Sequence, residues 1–293
     1  MAEKLVIGCG YLGGRVAQLW RRRGYTVSAL TRSEQRAEPL RRAGLRPLVG
    51  DITRPGTLPE LPPAESVLLA VGYDRRGGQP VREVFVDGLR HVLSRLHAAT
   101  ERLLYISSTG VYGQTDGQWV DEDSACRPVS EGGRACLEAE HLLRDSPFAA
   151  RCVVLRMAGL YGPGRVPRRG DLEAGRDLAL PRDGHLNLVH VEDAARVVVA
   201  ADERAVPPCC LVVSDGHPVT RREYFAEMAR LLNAAPPRFI APRADLPAAA
   251  RAQSDKRVRN DRMLAQLGLQ LAYPTVREGL SAILAVAGPV RET

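Results

Sequence analysis

Lysine is almost missing from this chain: of 41 basic residues only Lys4 and Lys256 are lysines, and the rest are arginines. The formal net charge of +7 is therefore arginine charge, spread along the chain instead of massed in one basic arm. No nucleic-acid recognition motif accompanies it, so nucleic acid is not an expected partner. A phosphate-bearing cofactor or substrate accounts for the arginines about as well. Also absent is any run approaching the ~18 apolar residues that cross a membrane. The opening Met-Ala-Glu-Lys leads straight into Leu5-Val6-Ile7, too short an apolar stretch for a secretory signal. A cytoplasmic protein with no membrane partner is the expectation. The six cysteines (Cys9, Cys126, Cys136, Cys152, Cys209 and Cys210) include no Cys-x-x-Cys pair, so no metal site or redox motif is expected. Reduced thiols fit the same compartment, and the adjacent Cys209 and Cys210 fit a buried strand.

What is present is alternation. At 293 residues, 45% hydrophobic and 26% charged, the chain suits one large soluble domain with a smaller one. Short apolar runs bounded by Gly, Pro or Asp alternate with longer helical patterns, the signature of a parallel α/β sheet. Expected strands are Lys4–Gly8, Tyr25–Leu30, Arg46–Gly50, Val67–Val71, Leu103–Ser107, Ala150–Arg156, Leu186–Val191 and Cys209–Ser214. Expected helices are Gly13–Arg23, Ser33–Ala43, Val81–Ala99, Gly132–Arg144 and Ala194–Glu203. Gly24 suits the position after the first helix, where φ is positive. Thr220 is a plausible N-cap for a helix to Asn233. The stretch Ala234–Ala250, rich in Pro and Ala, reads as irregular, and two helices, Asn260–Leu267 and Thr275–Ala287, close the chain. No internal repeat is visible.

The strongest local signal is Gly8-Cys9-Gly10-Tyr11-Leu12-Gly13, which follows the first strand and opens the first helix, the context that Gly-x-Gly-x-x-Gly requires. The first glycine permits the tight turn, the second lets backbone approach a pyrophosphate, and the third packs helix on strand. The helix start offers free N–H groups and a positive dipole end to the phosphates. An NAD site usually places Asp or Glu at the end of the second strand to hold the ribose 2′-OH. Here the tip reads Leu30-Thr31-Arg32-Ser33, with Arg36 behind it, so an arginine stands ready for a 2′-phosphate and NADP is expected ahead of NAD. The expected cofactor contacts are Gly8, Gly10, Tyr11, Leu12, Gly13, Thr31, Arg32 and Arg36. Asp51 and Ile52 join them near the adenine, and Ala70, Val71 and Gly72 at the tip of the fourth strand.

Three further segments carry a resemblance. Leu103-Leu104-Tyr105-Ile106-Ser107-Ser108-Thr109-Gly110-Val111-Tyr112-Gly113 resembles the fifth-strand motif of the extended short-chain dehydrogenases/reductases, the nucleotide-sugar epimerase/dehydratase group. The segments Leu155–Arg165 and Asn187–Ala195 are similar to two more of its signatures, in the same order, and the likeness covers about residues 3–205. The resemblance implies a seven-stranded parallel, doubly wound Rossmann sheet with a smaller C-terminal α/β substrate-binding lobe. The Rossmann domain would take residues 1–165, with 184–205 returning to it, and the lobe 166–183 and 206–293. It also implies a homodimer through the helices Val81–Ala99 and Gly132–Arg144, by analogy alone.

The family's catalytic set is a Ser or Thr after the fifth strand and a Tyr-x-x-x-Lys on the next helix. Ser108 matches the first by position. Aligning Glu138 with the glutamate that follows the dyad puts Ser130 where tyrosine belongs and Arg134 where lysine belongs. No tyrosine in the chain has a lysine four residues on. General acid–base catalysis contributes ~10²–10⁴-fold, about 3–5 kcal/mol of barrier. A serine hydroxyl donates a proton far less readily than a phenol. Arg134 would keep the lysine's electrostatic role and its hold on the ribose, but it cannot relay protons. Such departures resemble the atypical branch of the superfamily.

Tyr112 and Tyr161 lie near the expected cleft by motif position, and Tyr112 is a candidate acid/base. His190 reads as a structural strand residue and Asp193 as a helix cap. The loop Tyr161–Asp183 carries Arg165, Arg168, Arg169, Arg176 and Arg182. Tyr161, Arg165 and Arg168 are its candidate contacts to a phosphorylated substrate, against the alternative of solvated arginines on a loop. The segment Ser254–Asn260 is a second basic patch. Two readings stay open. One is an NADP-using oxidoreductase or epimerase/dehydratase acting on a nucleotide-sugar-like or other phosphorylated small substrate. The other is an NADP-sensing binding protein that has lost catalysis.

Overall fold

In the computed structural model, which describes residues 2–74, 77–241 and 254–286, the apolar runs become the strands of one seven-stranded parallel sheet. These are β1 (Glu3–Ile7), β2 (Thr26–Thr31), β3 (Arg46–Val49), β4 (Ser66–Leu69), β5 (Arg102–Ser108), β6 (Cys152–Met157) and β7 (Cys209–Val213). The order across the sheet is β7-β6-β5-β4-β1-β2-β3. Ile7 stands opposite Leu30 on β2 and Leu69 on β4, so these strands end level where the winding reverses between β1 and β4. In open α/β sheets ligands bind beyond the strand ends at such a point. Leu5, Val67 and Leu103 are fully buried, as strands covered on both faces require. Cys209 and Cys210 are only half-buried, because β7 is the sheet's edge strand.

The chain divides into two compact units, the first Met1–Val111, Glu131–Arg156 and Ala195–Leu211, the second Tyr112–Ser130, Met157–Ala194 and Val212–Thr293. In the first unit α1 (Gly13–Arg22) buries Val16, Ala17 and Trp20, spaced at helical intervals, and Gly24 follows at φ +88°. Helix α2 (Glu34–Arg42) is capped by Ser33, whose hydroxyl accepts from the Arg36 amide. The expected helix Val81–Ala99 is helical without a break from 81 to 93, through a π turn at Glu83–Asp87 into α3 (Gly88–Leu93), and ends six residues early. Helix and Ile52 are pressed together here: a Cβ on Gly88 would lie 2.7 Å from Ile52 Cδ1. Helix α4 (Glu131–Arg144) brings Glu140 under the sheet. There Ser107 donates to its carboxylate, and Arg156 grips both oxygens, Nε at 3.1 Å and Nη2 at 2.7 Å.

A second buried charge cluster sits at the opposite end of β1. The Lys4 ammonium, 2% exposed, meets Asp202 at 2.9 Å, Glu65 at 3.1 Å and the Ser66 hydroxyl at 2.9 Å. Asp202 rides on α5 (Val191–Arg204), so this cluster pins that helix to the sheet.

The second unit packs α6 (Arg221–Leu232) and α8 (Val276–Val286) around Tyr161, Leu188, Tyr224, Met228 and Leu280, with α7 (Asp261–Leu267) between them in the chain. Thr220 caps α6 as expected, in a reciprocal box with Glu223, and Asn233 ends it in the left-handed conformation. The single strand expected over Leu186–Val191 is divided. His185–Leu186 pairs antiparallel with Val219–Thr220, and Leu188–His190 runs parallel to Gly159–Tyr161. Asn187 marks the break, its amide spanning the Lys256 carbonyl and the Val258 N–H. Val191 belongs to α5, not to a strand, and Asp193 is no N-cap. It lies inside that helix and accepts from the Ala272 and Tyr273 amides at 2.8 Å, tying down the segment before α8. The irregular stretch 234–250 is described only to 241, and Ala287 lies outside the described residues.

Removing one member of a buried ion pair strands the other, at a cost of about 3–5 kcal/mol. Arg156→Met should therefore lower the unfolding free energy by that amount, read as a lower urea midpoint at an unchanged slope. A loss below about 1 kcal/mol would show that the pair contributes little.

Candidate functional site

Three glycines shape the end of β1, and each meets a different constraint. Gly8 takes φ +97°, and a Cβ there would lie 2.5 Å from the backbone carbonyl of Ala70 at the tip of β4. A Cβ on Gly13 would lie 2.3 Å from the Gly8 oxygen. Around Gly10 nothing lies within 4 Å of the Cβ position. Gly8 and Gly13 are thus forced by crowding, whereas Gly10 borders open space. That space lies beside the start of α1, where Leu12 supplies no side-chain cap and the Gly14 and Arg15 amides bond the Gly10 and Leu12 carbonyls, so what the helix start offers an anion is chiefly the positive end of its dipole. This cradle, which a side chain at Gly10 would enter, fits a dinucleotide pyrophosphate. The Arg15 guanidinium lies 4.4 Å from the Tyr11 ring and donates to the Tyr11 carbonyl oxygen.

The neighbouring strand ends supply the rest. Arg32 stands exposed at the end of β2, its Nη2 3.5 Å from Asp74, a carboxylate that no sequence pattern had marked. Thr31 holds the Gly50 amide through its carbonyl. Asp51 closes a turn by accepting from both the amide and the hydroxyl of Thr53, at 2.9 and 2.8 Å. Ile52, Val71, Val84, Phe85 and Leu89 line an apolar cavity that runs under these strand ends to Tyr105 and Cys136. Ala70 donates to the Ile7 carbonyl at 2.8 Å, and Gly72 is exposed. Arg36 is exposed on α2. Burial pushes the Cys9 thiol up to about 11, which disfavours its thiolate.

Ser108 ends β5, and its hydroxyl accepts from the Gly110 amide at 3.0 Å. A Cβ on Gly110 would lie 3.2 Å from that oxygen and 3.9 Å from Gly133 Cα. Ser108 therefore lies close to the first turn of α4, which carries Arg134, exposed. Ser107 faces the other way, into Glu140 and Arg156, fixing the end of β5 from below.

The remaining candidates belong to the second unit. Tyr112 is 1% exposed, and Ser130 is half-buried just before α4. Tyr161 is wholly buried, packed edge-on against His190 at 5.3 Å. Its hydroxyl, without a hydrogen-bond partner among the described residues, abuts Gly279, where a Cβ would come within 2.0 Å. Burial drives its phenol far above the usual tyrosine value. His190 is equally buried and lies 3.9 Å from the Tyr273 ring. Arg165 is exposed. Arg168, in the left-handed region, pairs with Asp171 at 3.1 Å, and Arg176 reaches the same aspartate at 2.9 Å. Arg169 bonds Glu173 at 2.7 Å, so much of this loop's charge is met locally.

These features fit what comparison with known proteins finds. The model of the NAD dependent epimerase/dehydratase family matches residues 5–208. The chain belongs to that family. It is 28% identical to Protein YeeZ of Escherichia coli (strain K12), covering 94% of this chain and 97% of that one. It is 31% identical to a 3-diazoavenalumate denitrifying reductase of Streptomyces sp, covering 94% and 98%. A solved structure of a functionally unknown conserved protein from Silicibacter pomeroyi DSS matches with a TM-score of 0.78 at 29% identity, over 98% of this chain and 100% of that one. This family is NAD-dependent, and the chain is an NAD(P)-dependent enzyme of the short-chain dehydrogenase/reductase type.

Two predictions follow from this geometry. Gly10→Ala should fold with an unchanged melting temperature yet bind dinucleotide at least about tenfold more weakly by calorimetry, a loss of about 1.4 kcal/mol. Gly8→Ala should instead be destabilised, because its Cβ meets backbone. Equal dinucleotide affinity in Gly10→Ala would remove the pyrophosphate from this cradle. The second concerns Asp215, 3% exposed in the second unit. Its Oδ2 has no partner among the described residues, and burial pushes its carboxyl up to about 7. The folded state then holds this proton more tightly than the unfolded state does. Stability should therefore fall as pH rises from about 4 to about 7, by at most about 1.4 kcal/mol per unit, and level off above. Asp215→Asn should flatten that decline in urea titrations at stepped pH. A slope that persists in the variant would assign the decline to another group.

Proposed function

We propose that this protein is an NADP-dependent oxidoreductase for a small phosphorylated or nucleotide-sugar-like substrate, working without the Tyr-x-x-x-Lys dyad. The observation that carries the cofactor preference is Arg32, exposed at the tip of β2 where an NAD site would hold a carboxylate. Its pairing with Asp74 is solvent-exposed and long, 3.5 Å, so a 2′-phosphate displaces it at little cost. Reduction, in preference to epimerisation, is supported by the name of the Streptomyces relative, a reductase.

When bound, the nicotinamide supplies or takes the hydride. The chain's own residues do the rest. Ser108 accepts from Gly110, which leaves its own proton free to donate to a substrate oxygen. Arg134 brings a permanent positive charge to the first turn of α4. It stabilises charge developing on substrate but moves no proton. Ser130 stands where the tyrosine of the dyad would be, and Tyr112 is the phenol assigned to proton transfer in its place. The second unit is the substrate lobe in this reading. Arg165 is its exposed contact for a phosphate, with Arg168 released from Asp171 on binding and Tyr161 supporting the site from the core. A homodimer through the α3 and α4 surfaces belongs to the same reading. The competing reading, an NADP sensor without turnover, is favoured by the missing dyad.

Calorimetric titration with NADPH and NADH should give at least about a tenfold preference for NADPH. Arg32→Ala should erase that preference and leave NADH binding in place. Equal affinity in the wild type would defeat the Arg32 assignment. Tight NADPH binding with no hydride exchange across a broad carbonyl and sugar-nucleotide screen would favour the sensor.

A further inference from the structure

The loop after β4 brings a carboxylate onto Arg32 at the end of β2, with Asp74 Oδ2 3.5 Å from Arg32 Nη2. Strands β2 and β4 flank β1 on its two sides, and Ile7, Leu30 and Leu69 end level. The pair therefore joins the two strands that border the glycine cradle at the end of β1. Both residues lie in the first unit.

The fold itself places that carboxylate. The Asp74 carbonyl accepts from the Gly77 amide at 3.0 Å, closing a turn. Just before it, the Tyr73 hydroxyl donates to the Gln79 carbonyl at 2.8 Å, and the Tyr73 ring packs edge-on against Phe85, with centroids 6.2 Å apart. The Gln79 side chain donates to the Thr53 hydroxyl at 2.9 Å, which in turn bonds Asp51. The loop after β4 is thus tied to the turn after β3.

Arg32 is the object of a competition. A 2′-phosphate carries about −1.5 to −2 charge near neutral pH, and on Arg32 it meets Asp74 as a second anion at the same guanidinium. Part of the attraction is already spent on Asp74, and like charges at ion-pair range repel. A ribose with a free 2′-hydroxyl brings no charge and meets no such opposition.

We propose that Asp74 is a specificity-determining residue, whose carboxylate holds on Arg32 the place that the 2′-phosphate of NADP takes and so moderates the preference for NADP. The proposal rests on the cofactor reading above, in which Arg32 receives that phosphate. Further contacts of Asp74 do not alter it, because the competition needs only the carboxylate at Arg32. The side chains of the pair are 46% and 47% exposed, so water and salt weaken it and its removal changes affinity a few-fold.

NADPH and NADH, which differ only in the 2′-phosphate, are titrated by calorimetry into wild type, Asp74→Asn, Asp74→Ala and Arg32→Ala. Both Asp74 variants should raise the ratio of NADPH to NADH affinity about three- to fivefold, at an unchanged melting temperature. Raising the salt from ~0.01 M to ~0.15 M shortens the screening length from ~30 Å to ~8 Å and should shrink that gain. An unchanged ratio, or a gain that salt leaves untouched, overturns the proposal. So does an equal loss for both cofactors, which would make Asp74 a support of its loop. Arg32→Ala reads the cofactor assignment separately. If it abolishes the wild-type ratio while the Asp74 variants leave theirs unaltered, this proposal fails and the cofactor reading stands. If Arg32→Ala leaves the ratio as it was, the cofactor reading fails and takes this proposal with it.

Discussion

The close approach of the first loop to the tip of β4 is the constraint on which the first unit depends. Gly8 lies against the Ala70 carbonyl and Gly13 against the Gly8 oxygen, both too near for any Cβ. That contact lets β1 turn within a few residues into α1 and leaves the start of α1 uncapped. Gly10, in open space, is not forced by the fold. One motif thus contains two kinds of glycine, which only the three-dimensional surroundings separate.

Buried charge is handled in three ways. Around Lys4 it is neutralised by two carboxylates and serves to hold α5 on the sheet. Glu140 and Arg156 satisfy each other in two-pronged geometry, with Ser107 taking a remaining lone pair, so the network holds the end of β5 that carries Ser108. In the second unit Lys256 donates to the Ser254 hydroxyl, and one oxygen of Asp215 has no partner among the described residues.

In the function proposed above, the absence of the dyad narrows the chemistry. A serine and an arginine at the two positions keep hydrogen bonding and positive charge but remove the group that titrates.

The sequence by itself determined the sheet, the glycine cradle, the family and the missing dyad, because each is written in local patterns: apolar runs, residue spacing and a short motif in its required context. Thr220 and Asn233 could be read as helix ends for the same reason, since a cap depends on its own few neighbours. Tertiary structure alone decided what depends on residues far apart in the chain. Gly88 meets Ile52 and Asp74 meets Arg32 across long separations, and nothing in either local pattern points to the other. Asp193 looks like a cap beside its helix, yet it serves the backbone at Ala272 and Tyr273, some eighty residues on. The contrast between Lys4 and Lys256 belongs to the same class. The letters are identical, and only the folded surroundings tell a lysine met by two carboxylates from one that donates to a serine hydroxyl.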